Sequence, residues 1–177
     1  MSGIPGARAV HHLALTVPDL EQAVAFFTEV LGAEPVYRTG PVQDPDGGWM
    51  ERQLGVHPRA VAWIAMLRFG PVTNLELFEY RAPDQRRAQP RNSDWGGHHL
   101  AIAVADVDAA AAYLRSRGVE VMGEPETVAD GGPIDGDRWV YFRAPWGLQL
   151  ELIDLPPGLP YERETEARLY CPTGEWS

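Results

Sequence analysis

Two histidines and two glutamates in this chain are placed as metal ligands would be. His12 lies in HHLALTV (11–17), His99 in HHLAIAV (98–104), Glu76 in NLELFEY (74–80) and Glu151 in LQLELIDL (148–155). All four runs alternate like strands, and successive strand side chains point to opposite faces. His12, Ala14 and Thr16 therefore oppose Leu13, Leu15 and Val17, and His99, Ala101 and Ala103 oppose Leu100, Ile102 and Val104. Glu76 sits between Leu75 and Leu77, and Glu151 between Leu150 and Leu152. A carboxylate in an apolar strand is costly to desolvate unless it is paired or bound to a metal. A single strand histidine is ordinarily structural. Four such residues at equivalent points of a repeat fit one metal site instead, with one histidine and one glutamate from each half. The small neighbours of both histidines leave room for a ligand. His11 and His98 are expected on the opposite strand face, in a structural or supporting role with no chemistry of their own.

The elements that must position these residues repeat as well. Shifted by 87 positions, His11, His12, Leu13, Ala14, Val17, Asp19, Ala23 and Ala25 fall on identical residues, from His98 through Ala112. Such self-similarity sets the architecture. Each copy opens with a strand. Asp19 or Asp106 then caps a helix, with Gln22 as a capping-box partner in the first copy, and Gly32 or Gly118 stops it. Three strand-like runs follow each helix, and PWG (145–147) marks a hairpin turn. The reading is an α+β protein of two tandem βαβββ modules, at 8–80 and 98–155. A polar linker joins them at 81–97, and a Pro-rich tail follows at 156–177, extended over the surface or against another subunit. Residues 40–60 form an insert of weak periodicity, a candidate lid around Trp49 and Met50.

Bulk properties narrow the partners. The chain has 177 residues, a net charge of −10, 45% hydrophobic and 23% charged residues. A strongly acidic chain is a poor match for nucleic acid, which wants a basic face. No apolar run approaches the roughly 20 residues of a membrane span, and no signal pattern opens the chain. One cysteine, Cys171, excludes an internal disulfide and fits a reducing, cytoplasmic setting. All 15 basic residues are arginine, which excludes Schiff-base and phosphate-loop lysine chemistry. No serine sits in a G-x-S-x-G elbow.

HHLALTVPDLEQAVAFFTEVLG, NLELFEY, GGHHLAIAVADVDAAAAYL and PWGLQLELI resemble the vicinal oxygen chelate superfamily over about residues 8–155. That group includes glyoxalase I, methylmalonyl-CoA epimerase, extradiol dioxygenases, fosfomycin-resistance transferases and bleomycin-binding proteins. The resemblance implies that each module forms half of a curved mixed sheet, the pair making a cup around a metal. It places the ligands at His12, Glu76, His99 and Glu151. From the glyoxalases it implies a metal-bound glutamate as base, with Glu151 first and Glu76 second. From the epimerases it implies a further glutamate in the middle of the first module, where Glu51 of GGWMERQLGV lies.

Two imidazoles and two carboxylates leave a divalent ion open positions for substrate oxygens, with Zn, Ni, Co, Mn and Fe(II) all compatible. The expected function is a metal-dependent isomerase, epimerase or lyase. It would abstract an α-proton from a small oxygen-chelating carbonyl compound and stabilise the enolate. One alternative is an extradiol-type Fe(II) dioxygenase, although such enzymes use two histidines and one glutamate, and Glu76 would be surplus. A second is an antibiotic- or metabolite-binding protein without turnover. A homodimer is expected. Trp139 and Tyr141 share a strand face and suit either the cup lining or the core. Arg52, Arg91 and Arg138 are candidates for pairing a substrate carboxylate or phosphate, with a solvated surface as their default.

Overall fold

Each half of the repeat folds as its alternation predicts. In the computed structural model, which describes residues 4–170, the first half runs β1 (His12–Thr16), α1 (Leu20–Ala25), β2 (Glu34–Val42), α2 (Trp49–Leu54), β3 (Val61–Phe69) and β4 (Thr73–Arg81). The second runs β5 (Leu100–Ala103), α3 (Val107–Ser116), β6 (Glu120–Thr127), β7 (Arg138–Arg143) and β8 (Gln149–Asp154). Each half forms one four-stranded mixed sheet, ordered β1-β4-β3-β2 and β5-β8-β7-β6. The first strand of each lies parallel to the last, and the other pairs are antiparallel. This is the expected α+β class.

The chain divides into two compact units between Arg87 and Ala88. That boundary falls inside the 81–97 segment, so residues 88–97 group with the second unit. Beyond β8, Leu159 is buried and a 3-10 turn spans Pro160–Arg163. Cys171 lies outside the described residues. Among the described residues, no helix is long and apolar enough to cross a membrane.

The helices begin where side-chain caps replace missing backbone partners. Asp19 Oδ1 accepts from the Gln22 amide and Asp106 Oδ1 from the Ala109 amide, both at 2.9 Å. The last turn of α1 widens into a π-helix over Phe26–Val30. Gly32 and Gly118 then take positive φ, 76° and 75°, a conformation a Cβ disfavours. Replacing Asp106 by Ala is expected to cost about 1 kcal/mol of stability, read as a lowered urea midpoint with an unchanged slope.

The helix-facing side of each sheet makes the core. Phe27, Leu67, Leu75 and Leu77 are fully enclosed in the first unit, as are Val107, Val140, Phe142 and Leu150 in the second. Phe27 meets Phe26 and Phe69 edge-on. Burial of such side chains contributes roughly 1.5–3 kcal/mol each. Leu13, expected to be buried with Leu15 and Val17, is instead 39% exposed. It lies near the start of the edge strand β1, whereas Leu15 further along the same face is buried.

The 40–60 insert is also more ordered than its weak periodicity suggests. β2 continues through Val42, and Asp44 Oδ2 accepts from the Trp49 amide at the start of α2. Met50 is fully buried, which makes it an anchor of α2 rather than a lid residue. Trp49 remains 42% exposed.

Candidate active site

Sheet register puts each glutamate on the histidine face of its own unit. In the first, Ala14 of β1 is opposite Glu76 and Met66 of β3 flanks it on the other side. In the second, Ala101 is opposite Glu151 and Tyr141 flanks it. His12 and His99 each lie two residues before those alanines, on the same side. His12 Nε2 approaches Glu76 Oε2 at 3.3 Å, and His99 Nε2 approaches Glu151 Oε2 at 3.0 Å. The structure thus brings His12 together with Glu76, and His99 together with Glu151. Each is a pair of one half-exposed imidazole and one largely covered carboxylate.

The two pairs have different surroundings. Burial pushes the Glu151 carboxyl above the usual range, against the nearby His99, which pulls it down; the Asp137 charge raises it further. Burial also raises the Tyr141 phenol, reinforced by the Glu151 charge. The Tyr141 ring meets His99 edge-on at 5.3 Å and Trp139 at 5.2 Å. In the first unit burial raises Tyr80, and the Glu76 charge adds to it. Tyr80 stacks on Phe78 at 5.2 Å. Alternation already put Tyr80 on the Glu76 face of β4, whereas only register shows that Tyr141 neighbours Glu151.

The first histidine of each doublet makes local contacts. His11 precedes β1, so strand alternation does not govern it, and its Nδ1 lies 2.9 Å from His12 Nδ1. One proton must sit between the two rings. The His11 carbonyl in turn accepts from Asn74 Nδ2. His98 turns its Nδ1 to the Gly96 carbonyl at 3.0 Å, a structural contact. The remaining candidates make no contact with either pair among the described residues. Glu51 is exposed in the first turn of α2, and among the described residues its side chain makes no hydrogen bond or ion pair. Arg138 pairs with Asp108 at 2.6 Å and Arg91 with Asp94 at 2.8 Å, so both guanidiniums already have carboxylate partners.

Asp137, which the sequence did not single out, is the other buried acid. It is 4% exposed, and its Oδ1 is buried with no hydrogen-bond partner. Burial raises its pKa, and the Asp154 charge adds to this. An acid with a raised folded-state pKa binds its proton more tightly when folded. Its stabilising effect is therefore greatest at low pH and is lost as pH rises from its unfolded value of about 4 through the folded one. Asp137→Asn removes the buried charge. It is expected to raise stability at pH 7 by about 1 kcal/mol, with the gain vanishing in melts near pH 3.

Among the described residues no group of three or more histidine, cysteine, aspartate or glutamate side chains is gathered for a metal. Each pair nonetheless has the donor chemistry of half a site, with an imidazole nitrogen and a carboxylate oxygen at near contact. That donor set fits a borderline divalent ion.

The Glyoxalase/Bleomycin resistance protein/Dioxygenase superfamily model matches residues 9–152, and the chain belongs to that family. It is 70% identical to a 2-epi-5-epi-valiolone epimerase of an Actinomyces species, over 99% of this chain and 94% of that one. It is 32% identical to the ethylmalonyl-CoA/methylmalonyl-CoA epimerase of Cereibacter sphaeroides, over 71% of this chain and 84% of that one. The crystal structure of a glyoxalase family protein from Bacillus cereus matches with a TM-score of 0.61, covering 86% of this chain and 99% of that one. At 21% identity that match shows the fold.

Proposed function

We propose that this chain is a metal-dependent epimerase that inverts a carbon next to the carbonyl of 2-epi-5-epi-valiolone or a closely similar ketone. The observation that carries the reading is the 70% identity, over nearly the whole chain, to a protein bearing that name. It favours epimerase chemistry over the dioxygenase and binding-protein alternatives.

His12 with Glu76, and His99 with Glu151, are the residues that would hold a divalent ion, which when bound would supply Lewis-acid polarisation of the substrate carbonyl. The protein's own groups then handle protons. Inversion needs one group to remove the α-proton and another to return a proton to the opposite face. Glu151 is the first candidate for removal, because it is the more deeply covered carboxylate. Glu76 is the second candidate and the natural group to return the proton. Tyr141 and Trp139, on the Glu151 face of β7, supply half-buried surface against which a small ring can be held.

The test is deuterium exchange. Incubated in D₂O with 2-epi-5-epi-valiolone, the protein is expected to incorporate solvent deuterium at the inverted carbon, seen as loss of one proton NMR signal. Epimerisation without any incorporation, or no turnover at all by metal-loaded protein, would overturn the reading.

A further inference from the structure

The segment between Arg91 and His99 is a closed knot. The Arg91 amide donates to Asp94 Oδ2 at 2.9 Å, and the Arg91 guanidinium grips both oxygens of the same carboxylate. The Asp94 amide donates back to the Arg91 carbonyl at 2.9 Å, and the Gly97 amide to the Asp94 carbonyl at 2.7 Å. Gly96 takes φ +85°. At Gly97 a Cβ would stand 2.1 Å from the Arg91 oxygen, so glycine is required for the chain to fold back on itself. His98 Nδ1 closes the knot on the Gly96 carbonyl.

That knot brings one side chain to the site. Asn92 Nδ2 lies 3.4 Å from His99 Nδ1, the ring nitrogen remote from Glu151. In this orientation the amide donates to Nδ1 of the tautomer that carries its proton on Nε2. Nε2 in turn donates to Glu151 Oε2. Both ring nitrogens are therefore engaged, and the Tyr141 edge contact holds the ring plane. Turned about its last torsion, the same amide presents Oδ1. It can then accept an Nδ1–H whenever Nε2 offers its lone pair elsewhere. Outer partners of this kind set the tautomer and orientation of a ligating imidazole.

We propose that Asn92 is a positioning residue, held by the 91–97 knot, that holds the orientation of the His99 ring by bonding Nδ1 in either tautomer. The consequence for metal affinity rests on the epimerase reading, but the ring-orienting role does not.

Two variants of the full chain test it, Asn92→Asp and Asn92→Leu. The first readout is the histidine ring ¹⁵N spectrum of chelator-treated protein at a pH where the imidazoles are neutral. Wild type is expected to show His99 with a protonated Nε2 and a hydrogen-bonded, unprotonated Nδ1. Asn92→Asp, which only accepts, is expected to draw a proton onto Nδ1 while Nε2 keeps its own beside Glu151. Asn92→Leu is expected to leave Nδ1 without its bond, so that its resonance shifts away from the wild-type position. The second readout is cobalt(II) titration. Asn92→Leu is expected to bind about 10–100-fold more weakly, and Asn92→Asp at least as tightly as wild type. A His99 spectrum identical in all three proteins would overturn the proposal. If wild type takes up no cobalt while Asn92→Asp still protonates Nδ1, the metal reading fails and the positioning role stands.

Discussion

Glu151→Gln is expected to slow epimerisation by about 10³-fold in kcat, with the protein still folded. Gln has the shape of Glu and can sit beside His99, but it has no basicity with which to take an α-proton. A positioned general base contributes typically 10²–10⁴-fold, and removing a group used only in the transition state lowers kcat more than it raises KM. Because Glu151 is also a candidate ligand, metal content must be measured on the same preparation. A full complement of metal with about a thousandfold loss of kcat assigns the proton transfer to Glu151. Loss of metal together with activity makes it a ligand first. A variant that keeps both metal and most of the wild-type rate would remove Glu151 from the chemistry and turn attention to Glu76, whose Gln variant is the direct comparison.

Metal removal is the second large effect. Chelator-treated protein is expected to lose deuterium exchange by at least about 10³-fold, since Lewis-acid polarisation of a carbonyl contributes several kcal/mol to stabilising the developing charge. Restoring a divalent ion should restore the rate, and elemental analysis should find about one equivalent in active protein. Glu76→Ala removes one of the four donors and is expected to lower both metal content and rate together. Undiminished exchange in protein shown to be metal-free would leave the two His–Glu pairs acting as acid and base without an ion.

Much of the architecture was legible because the signals are local and repeated. Strand alternation, the Asp19 and Asp106 caps and the stopping glycines depend on neighbours within a few residues, and writing them twice made them unambiguous. The same alternation put His12 and Glu76 on one face of the first unit and His99 and Glu151 on one face of the second. It carried one residue beyond β5 to His99, but it failed at other positions. His11 was assigned the opposite face by extrapolating alternation one residue beyond β1, and its ring instead meets that of His12. Leu13 was assigned to the core by its face alone, yet it lies near the start of an edge strand. The insert lacked periodicity because a six-residue helix is too short to show one, and a single buried Met50 anchors it.

The sequence by itself therefore determined the two-module α+β plan and which histidine and glutamate belong to each half, because strand periodicity and repeat position decide both. Only the tertiary structure could place Tyr141 against Glu151 and His99, hold Asn92 against the far side of His99 and bury Asp137 without a partner for Oδ1. These contacts are set by cross-strand register and by how a glycine turn folds back. Register joins segments far apart in the chain, and the turn, though it spans only residues 91–97, has no strand or helix period that its spacing could reveal.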